Sequence, residues 1–147
     1  MKTRVYIDGA NFYFGLLKNH PEWKWLDLKG LVALLVRSGL IRVMKFEEKR
    51  TDVNLATSML RDAYTNAADS FVLISGDSDF IAPLDLIRYE LGKQVVVFNP
   101  KDRKSDLANH ASYYRDIPRD LPAKCQLPDA IPVGTHGNFI RRPEAWR

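Results

Sequence analysis

Ser70-Phe71-Val72-Leu73-Ile74-Ser75-Gly76-Asp77-Ser78-Asp79 is the stretch whose reading decides the fold. Its first six residues are a near-continuous apolar run, the pattern of a strand covered on both faces. The run stops abruptly in Gly-Asp-Ser-Asp, which is turn chemistry. Working outward, further strand candidates are Arg4 to Asp8, Ile41 to Phe46 and Gln94 to Phe98, the first stopped by Gly9 and the last by Asn99-Pro100. Helical patterns separate them. Asn11 to His20 carries Phe12, Leu16 and Leu17 at helical spacing and ends at Pro21. Asp27 is a suitable N-cap for Leu28 to Ser38, with Gly39 as terminator. Thr51 or Asp52 caps a third helix with a stripe of Leu55, Ala56, Met59, Leu60, Ala63 and Ala67. Phe80 to Leu91 is the fourth, with Pro83 in its first turn and Gly92 at its end. Strands and helices alternating at these spacings predict an α/β fold: a central, mostly parallel sheet with helices on both faces. Leu107 to Tyr114 is expected to be a final short helix. Beyond it Pro118, Pro122, Pro128, Pro132 and Pro143 predict an irregular tail wrapped on the domain.

The chain's 147 residues fit one domain, long enough to bury a core without a disulfide or structural metal. With 46% hydrophobic and 27% charged residues it falls outside the disordered, collagen and coiled-coil classes. The single Cys125 has no internal partner, and the N-terminus lacks a charged, apolar, small-residue leader, so the chain reads as cytoplasmic and unprocessed. Apolar runs such as Leu31 to Val36 fall far short of the ~18 residues of a spanning helix, which predicts no membrane role. Basic residues exceed acidic ones by 22 to 18, and the excess concentrates late: net +1 over Met1 to Pro100 and net +3 over Lys101 to Arg147. A polyanion partner suits that balance, and so does a plain solvated surface.

The acids carry more information. Asp8 ends the first strand, and Asp77 and Asp79 follow the strand from Phe71. In an open parallel sheet, ligands bind outside the carboxyl ends of the strands, so these three are expected to converge at one edge. Clustered carboxylates raise one another's pKa values or hold a cation, and hard oxygen donors select Mg²⁺ or Mn²⁺. Gly-Asp-Ser-Asp is equally good turn and cap chemistry. Asp52, opening a helix directly after a strand, points to the same edge or serves as a first-turn acid favoured by the helix dipole. Asn11 either orients a water or phosphate oxygen or caps its helix.

Three ordered segments add a family resemblance. Val5-Tyr6-Ile7-Asp8-Gly9-Ala10-Asn11-Phe12-Tyr13, Glu48-Lys49-Arg50-Thr51-Asp52-Val53-Asn54-Leu55-Ala56 and Ser75-Gly76-Asp77-Ser78-Asp79-Phe80 resemble the signature segments of NYN domains, in particular the LabA-like group among relatives of the PIN-like nucleases. The resemblance runs through Pro100 and more weakly to Trp146. It implies a PIN-like three-layer α/β/α fold over residues 1–117, followed by the Pro-rich tail 118–147. It also implies a ribonuclease centre that uses Mg²⁺ or Mn²⁺ to hydrolyse RNA, single-stranded RNA being the expected partner. Matched by position, the acids are Asp8, Asp52, Asp77 and Asp79, with Asn11 as the accompanying amide. Two departures stand out. Only Leu40 to Glu47 lie where related proteins carry a longer middle stretch with further strand and helix. Near the C-terminus, Ala111-Ser112-Tyr113-Tyr114 lacks the acid that often precedes the paired aromatics. A non-catalytic RNA-binding or regulatory protein-interaction module of the same fold is the alternative function. A sugar transferase using Asp77 and Asp79 for a metal-bound nucleotide diphosphate ranks third, because it leaves Asp8 and Asp52 unexplained. Oligomeric state stays open, a homodimer included.

Lys49 and Arg50 beside Asp52, and Lys101, Arg103 and Lys104 after the strand ending at Phe98, are candidate phosphate contacts or solvated surface. Trp23 and Trp25 suit base stacking, but packing is the more ordinary use of such a pair. His20, His110 and His136 show no zinc-ligand spacing, and no Gly-rich phosphate loop with a Lys is present.

Overall fold

The strand Ser70–Ile74 is central to a five-stranded sheet in the computed structural model, which describes residues 1–36, 43–44 and 52–147. The strands are β1 (Thr3–Ile7), β2 (Val43–Met44), β3 (Ser70–Ile74), β4 (Gln94–Asn99) and β5 (Tyr113–Asp116), in the order β2-β1-β3-β4-β5. Every neighbouring pair is parallel, with Val5 opposite Val72, Val72 opposite Val96 and Val96 opposite Tyr113. All five residues of β3 are buried, as its unbroken apolar run requires.

The alternation of side chains along the strands splits the core into two layers. Tyr6, Phe71, Leu73, Val95 and Val97 face α3 (Asp52–Tyr64) and the helix made of α4 (Ile81–Asp85) and a π-helical continuation, Leu86–Glu90. Leu55, Met59, Leu84 and Ile87 close that layer. On the opposite face Val5, Val72, Ile74 and Phe98 meet α1 (Gly9–Phe12), its π-helical continuation Tyr13–Leu17, and α2 (Leu28–Val36). The result is a three-layer α/β/α arrangement. Asp27 caps the start of α2 as expected, accepting the Gly30 N–H at 2.8 Å.

Two expectations are corrected. Leu107 to Tyr114 is not one helix: a 3₁₀ turn over Asp106–Asn109 gives way to β5. Ser112 donates its N–H to the Val95 carbonyl at 2.8 Å and accepts the Val95 N–H on its hydroxyl at 3.1 Å, so the open edge of β4 captures the chain. Nor is the tail irregular. It forms α5 (Leu121–Lys124), the antiparallel hairpin of β6 (Ala130–Val133) and β7 (Asn138–Arg141), and a final 3₁₀ turn, Glu144–Trp146. Pro122 sits in the first turn of α5, where no N–H is needed. The tail grips the segment before α2. Trp25 donates its indole N–H to the Pro128 carbonyl at 2.8 Å, and Arg142 donates to the Glu22 and Trp146 carbonyls at 2.6 and 2.8 Å. Among the described residues no helix is long and apolar enough to cross a membrane.

Candidate metal centre at the switch point

From β1 the chain moves outward to β2, then returns to place β3 on the other side of β1. The strand order therefore reverses between β1 and β3, and a crevice opens at their carboxyl ends. Asp8 directly follows β1 and Asp77 lies three residues beyond β3. Asp52 reaches the same crevice from the first turn of α3. One carboxylate oxygen from each of Asp8, Asp52 and Asp77 lies within 4.8 Å of the other two.

Asp8 is the fixed member. It is 6% exposed, and its two oxygens take different partners. Oδ1 accepts the Asn11 N–H at 3.0 Å, which makes Asp8 the N-cap of α1, while Oδ2 accepts the Ser75 hydroxyl at 2.9 Å. Ser75 in turn accepts the Asp77 N–H at 3.1 Å. Asn11, also buried, accepts the Gly76 N–H on Oδ1 at 2.9 Å. Both loops of the crevice are thus fastened to each other by side chains. Asp77 has a second task, accepting the Asp79 N–H at 3.0 Å to cap the 3₁₀ turn Ser78–Phe80.

The half-buried Asp52 carboxyl is held above the ordinary carboxylate range, first by burial and then by the charges of Asp8, Asp77 and Asp79. An all-oxygen set of this kind fits a hard divalent cation. Three oxygens on one Mg²⁺ with bonds of about 2.1 Å lie about 3 to 4 Å apart, a spacing that small side-chain rotations reach from here. Asp79 is exposed and stands outside the three-acid group, although its charge reaches Asp52.

Of the basic candidates, Lys101 lies at the crevice wall: a Cβ built on Gly76 would be 3.4 Å from its Cδ. Arg103 and Lys104 are exposed on the same loop. Lys49 and Arg50 lie outside the described residues. Trp23 is half-buried with its ring stacked on His20 at 3.6 Å, its carbonyl accepting from Gln126, and Trp25 packs beside Trp146 of the tail at 6.0 Å.

Sequence reasoning missed the support behind the crevice. Asn99, 1% exposed at the end of β4, donates to the Arg103 carbonyl at 2.8 Å and to Asp116 Oδ1 at 2.9 Å, and accepts the Lys101 N–H at 3.1 Å. Ser105 donates its hydroxyl to the Gly76 carbonyl at 2.9 Å. Gly76 has no room for a side chain, since a Cβ there would lie 2.3 Å from Asn99 Oδ1. The one available signal was position, because Asn99 ends a strand on the ligand-binding side of the sheet.

A doubly wound α/β domain with clustered acids at its switch point is the architecture of the PIN-like nuclease superfamily. Within it, the chain belongs to the NYN domain family, whose model matches residues 23–118. That span contains Asp52, Asp77 and Asp79, while Asp8 and Asn11 precede it. The chain is also similar to 6-hydroxy-3-succinoylpyridine 3-monooxygenase HspA of Pseudomonas putida, at 33% identity over 99% of this chain and 75% of the relative. That match runs over 239 positions against 147 residues here, an excess of 92 without counterpart in this chain. A crystal structure of a Vibrio parahaemolyticus protein of unknown function shares the fold, with a TM-score of 0.52 and 20% identity over 81% of this chain and 94% of that one.

Proposed function

We propose that this chain is a cytoplasmic ribonuclease of the LabA-like group that hydrolyses single-stranded RNA at Asp8, Asp52 and Asp77 with Mg²⁺ or Mn²⁺. The observation that carries the reading is the meeting of three carboxylates from three separate elements, one of them buried and fixed by two hydrogen bonds. Like charges packed together repel, and a divalent cation among them would offset that repulsion. The bound ion would lower the pKa of a water and neutralise charge on the phosphate. Asp8, Asp52 and Asp77 supply the oxygens. Asn11 is a positioning residue, holding the Gly76 loop, and Asp79 forms the acidic rim. Lys101, with Arg103, Lys104, Lys49 and Arg50, is assigned to phosphate contacts. In the hydrolysis, water adds to phosphorus, the bond from phosphorus to one ester oxygen breaks, and that oxygen leaves with a proton. The catalytic unit is assigned to residues 1–117, with 118–147 as a clasp.

The test is a labelled single-stranded RNA incubated with wild type, Asp8→Asn and Asp52→Asn, with and without EDTA. Cleavage should need metal and fall by about 100-fold or more in each variant, the scale of a few kcal/mol of lost charge stabilisation. Cleavage that ignores EDTA or persists equally in the variants overturns the reading.

The Pseudomonas putida relative favours a second reading, since its name is that of a monooxygenase acting on 6-hydroxy-3-succinoylpyridine. A monooxygenase puts one atom of O₂ into its substrate and reduces the other to water with two electrons from a donor. Incubation with that substrate, O₂ and a reduced nicotinamide, followed by mass spectrometry for substrate loss, a dihydroxypyridine and the four-carbon side chain displaced from ring position 3, separates the two. Those products with no metal-dependent RNA cleavage would install the second reading.

A further inference from the structure

We propose that Tyr13 and Phe14, flanked by Lys18 and Lys24, form a stacking platform that holds bases of single-stranded RNA next to the acidic crevice; the proposal rests on the RNA reading above. The helix that starts at Asp8 has already committed its core face, with Phe12 at 5% and Leu16 at 2% exposure. Phe14 is nevertheless 64% exposed and Tyr13 38%. Their rings meet edge to face at 5.3 Å with planes nearly perpendicular, and each keeps part of its surface open to water.

Each ring carries a cation. Lys18 Nζ lies 5.4 Å from the Phe14 centroid, and Lys24 Nζ lies 5.3 Å from that of Tyr13 and 3.2 Å from its hydroxyl. Among the described residues neither ammonium has a carboxylate within ion-pair distance; the nearby Glu22 is engaged by His20 at 2.9 Å. Exposed rings with unneutralised positive charge beside them match a strand of bases strung on phosphates. An apolar protein partner would match the rings and leave the two ammonium groups without a counterpart.

The platform is continuous with the crevice. Gly15 packs against the loop after β4, where a Cβ would lie 2.9 Å from the Pro100 carbonyl oxygen and 3.2 Å from Lys101 Cγ. Lys101 then reaches on to Gly76. Its side chain therefore joins the helix that bears the two rings to the acidic loop, so a strand crossing Lys101 runs beside that helix. The spacing agrees, since Tyr13 and Phe14 lie roughly 8 to 9 Å along the helix from Asp8 at about 1.5 Å per residue.

The experiment measures binding of a short fluorescein-labelled oligouridylate and of a labelled RNA duplex by anisotropy, in EDTA so that nothing is cut. Tyr13→Ala with Phe14→Ala should weaken single-strand binding about 5- to 150-fold, the scale of losing one stacked base, and leave duplex binding unchanged. Lys18→Ala with Lys24→Ala should flatten the log–log salt slope by about 1.4. Phe14→Tyr should bind like wild type, whereas Phe14→Leu, apolar but without a ring face, should not. Unchanged oligouridylate affinity in the aromatic double variant, Leu serving as well as Tyr, or no binding by the wild type overturns the platform. Phe14-dependent binding in a protein that cuts nothing when metal is restored supports the platform and removes the nuclease. Metal-dependent cutting with affinity indifferent to Phe14 does the reverse.

Discussion

Asn11 accepts the backbone N–H of Gly76 at 2.9 Å, across 65 residues of sequence. The bond ties the helix after β1 to the loop after β3, so an uncharged amide joins Ser75 in setting the relative placement of Asp8 and Asp77. Asn11→Ala leaves that N–H without its partner, and thermal unfolding should show a loss of about 1–3 kcal/mol. Asn11→Asp keeps an acceptor in place but adds a fourth charge. It should fold, and it should lower the melting temperature more in EDTA than in Mn²⁺.

If the three acids hold an ion, metal should stabilise the protein, because a ligand of the folded state alone shifts the folding equilibrium. Millimolar Mn²⁺ or Mg²⁺ should raise the melting temperature of the wild type, and Asp77→Asn should blunt the rise. Asn at this position still accepts the Asp79 N–H, so the fold is spared. Asp79→Asn should retain most of the response, because Asp79 stands outside the three-acid group. Scanning fluorimetry over a metal titration checks all three; equal responses in Asp77→Asn and Asp79→Asn would erase the distinction drawn between them.

Gly76 and Asn99 are sterically coupled. Gly76→Ala drives a methyl group to 2.3 Å from Asn99 Oδ1, and the neighbouring loop must move. The expected cost is about 1–3 kcal/mol, the range for overpacking. In an Asn99→Ala background much of that cost should disappear, although Asn99→Ala is itself destabilising. A double-mutant cycle by urea unfolding should give a coupling of at least about 0.5 kcal/mol. Strict additivity would deny the contact.

A second buried acid acts away from the crevice. Asp62 on α3 is 4% exposed, accepts the Tyr6 hydroxyl at 2.7 Å and pairs with Arg4. Burial opposes its charge, yet Tyr6 and Arg4 outweigh burial and hold its carboxyl below the ordinary value. Burial, reinforced by Asp62, pushes the Tyr6 hydroxyl up, so it stays a donor. With the folded pKa below the unfolded one of about 3.9, folding favours the ionised form. The stabilisation is complete above the unfolded value and is lost as pH falls through the folded one. Asp62→Asn should cost about 1.5–3 kcal/mol at neutral pH and flatten the acid limb of a stability profile below about pH 5. An acid limb identical to wild type would assign that limb to other carboxylates.

What was legible in the chain was whatever depends on near neighbours. Ser70 to Ser75 could be read as a covered strand because every residue in it is buried, and Asp8 and Asp77 could be placed because each closely follows a strand. Residues whose roles depend on distant partners were not legible. Asn99 looks like a turn residue until Arg103 and Asp116 are brought to it, and Ser112 looks helical until the edge of β4 takes it. Asp79 has the spacing of a ligand, but its N–H turns back onto Asp77 and its carboxylate remains at the rim. The prolines of the tail read as breakers, although Pro122 opens a helix and Pro132 sits within a two-stranded hairpin opposite Phe139.

The hydrogen bond from Ser75 to Asp8 spans 67 residues, and Ser105 closes on Gly76 across another 29. The crevice acids and the Ser105 support together span residues 8 to 105, well over half of the chain. During synthesis at roughly 5–20 residues per second, Asp8, just past the N-terminal strand, waits for several seconds with Ser75 still unmade. A nascent or prematurely terminated chain therefore carries Asp8 and Asp52 as ordinary solvated acids. The three carboxylates come together only when the sheet closes, so the cluster is a property of the finished fold and of no local segment.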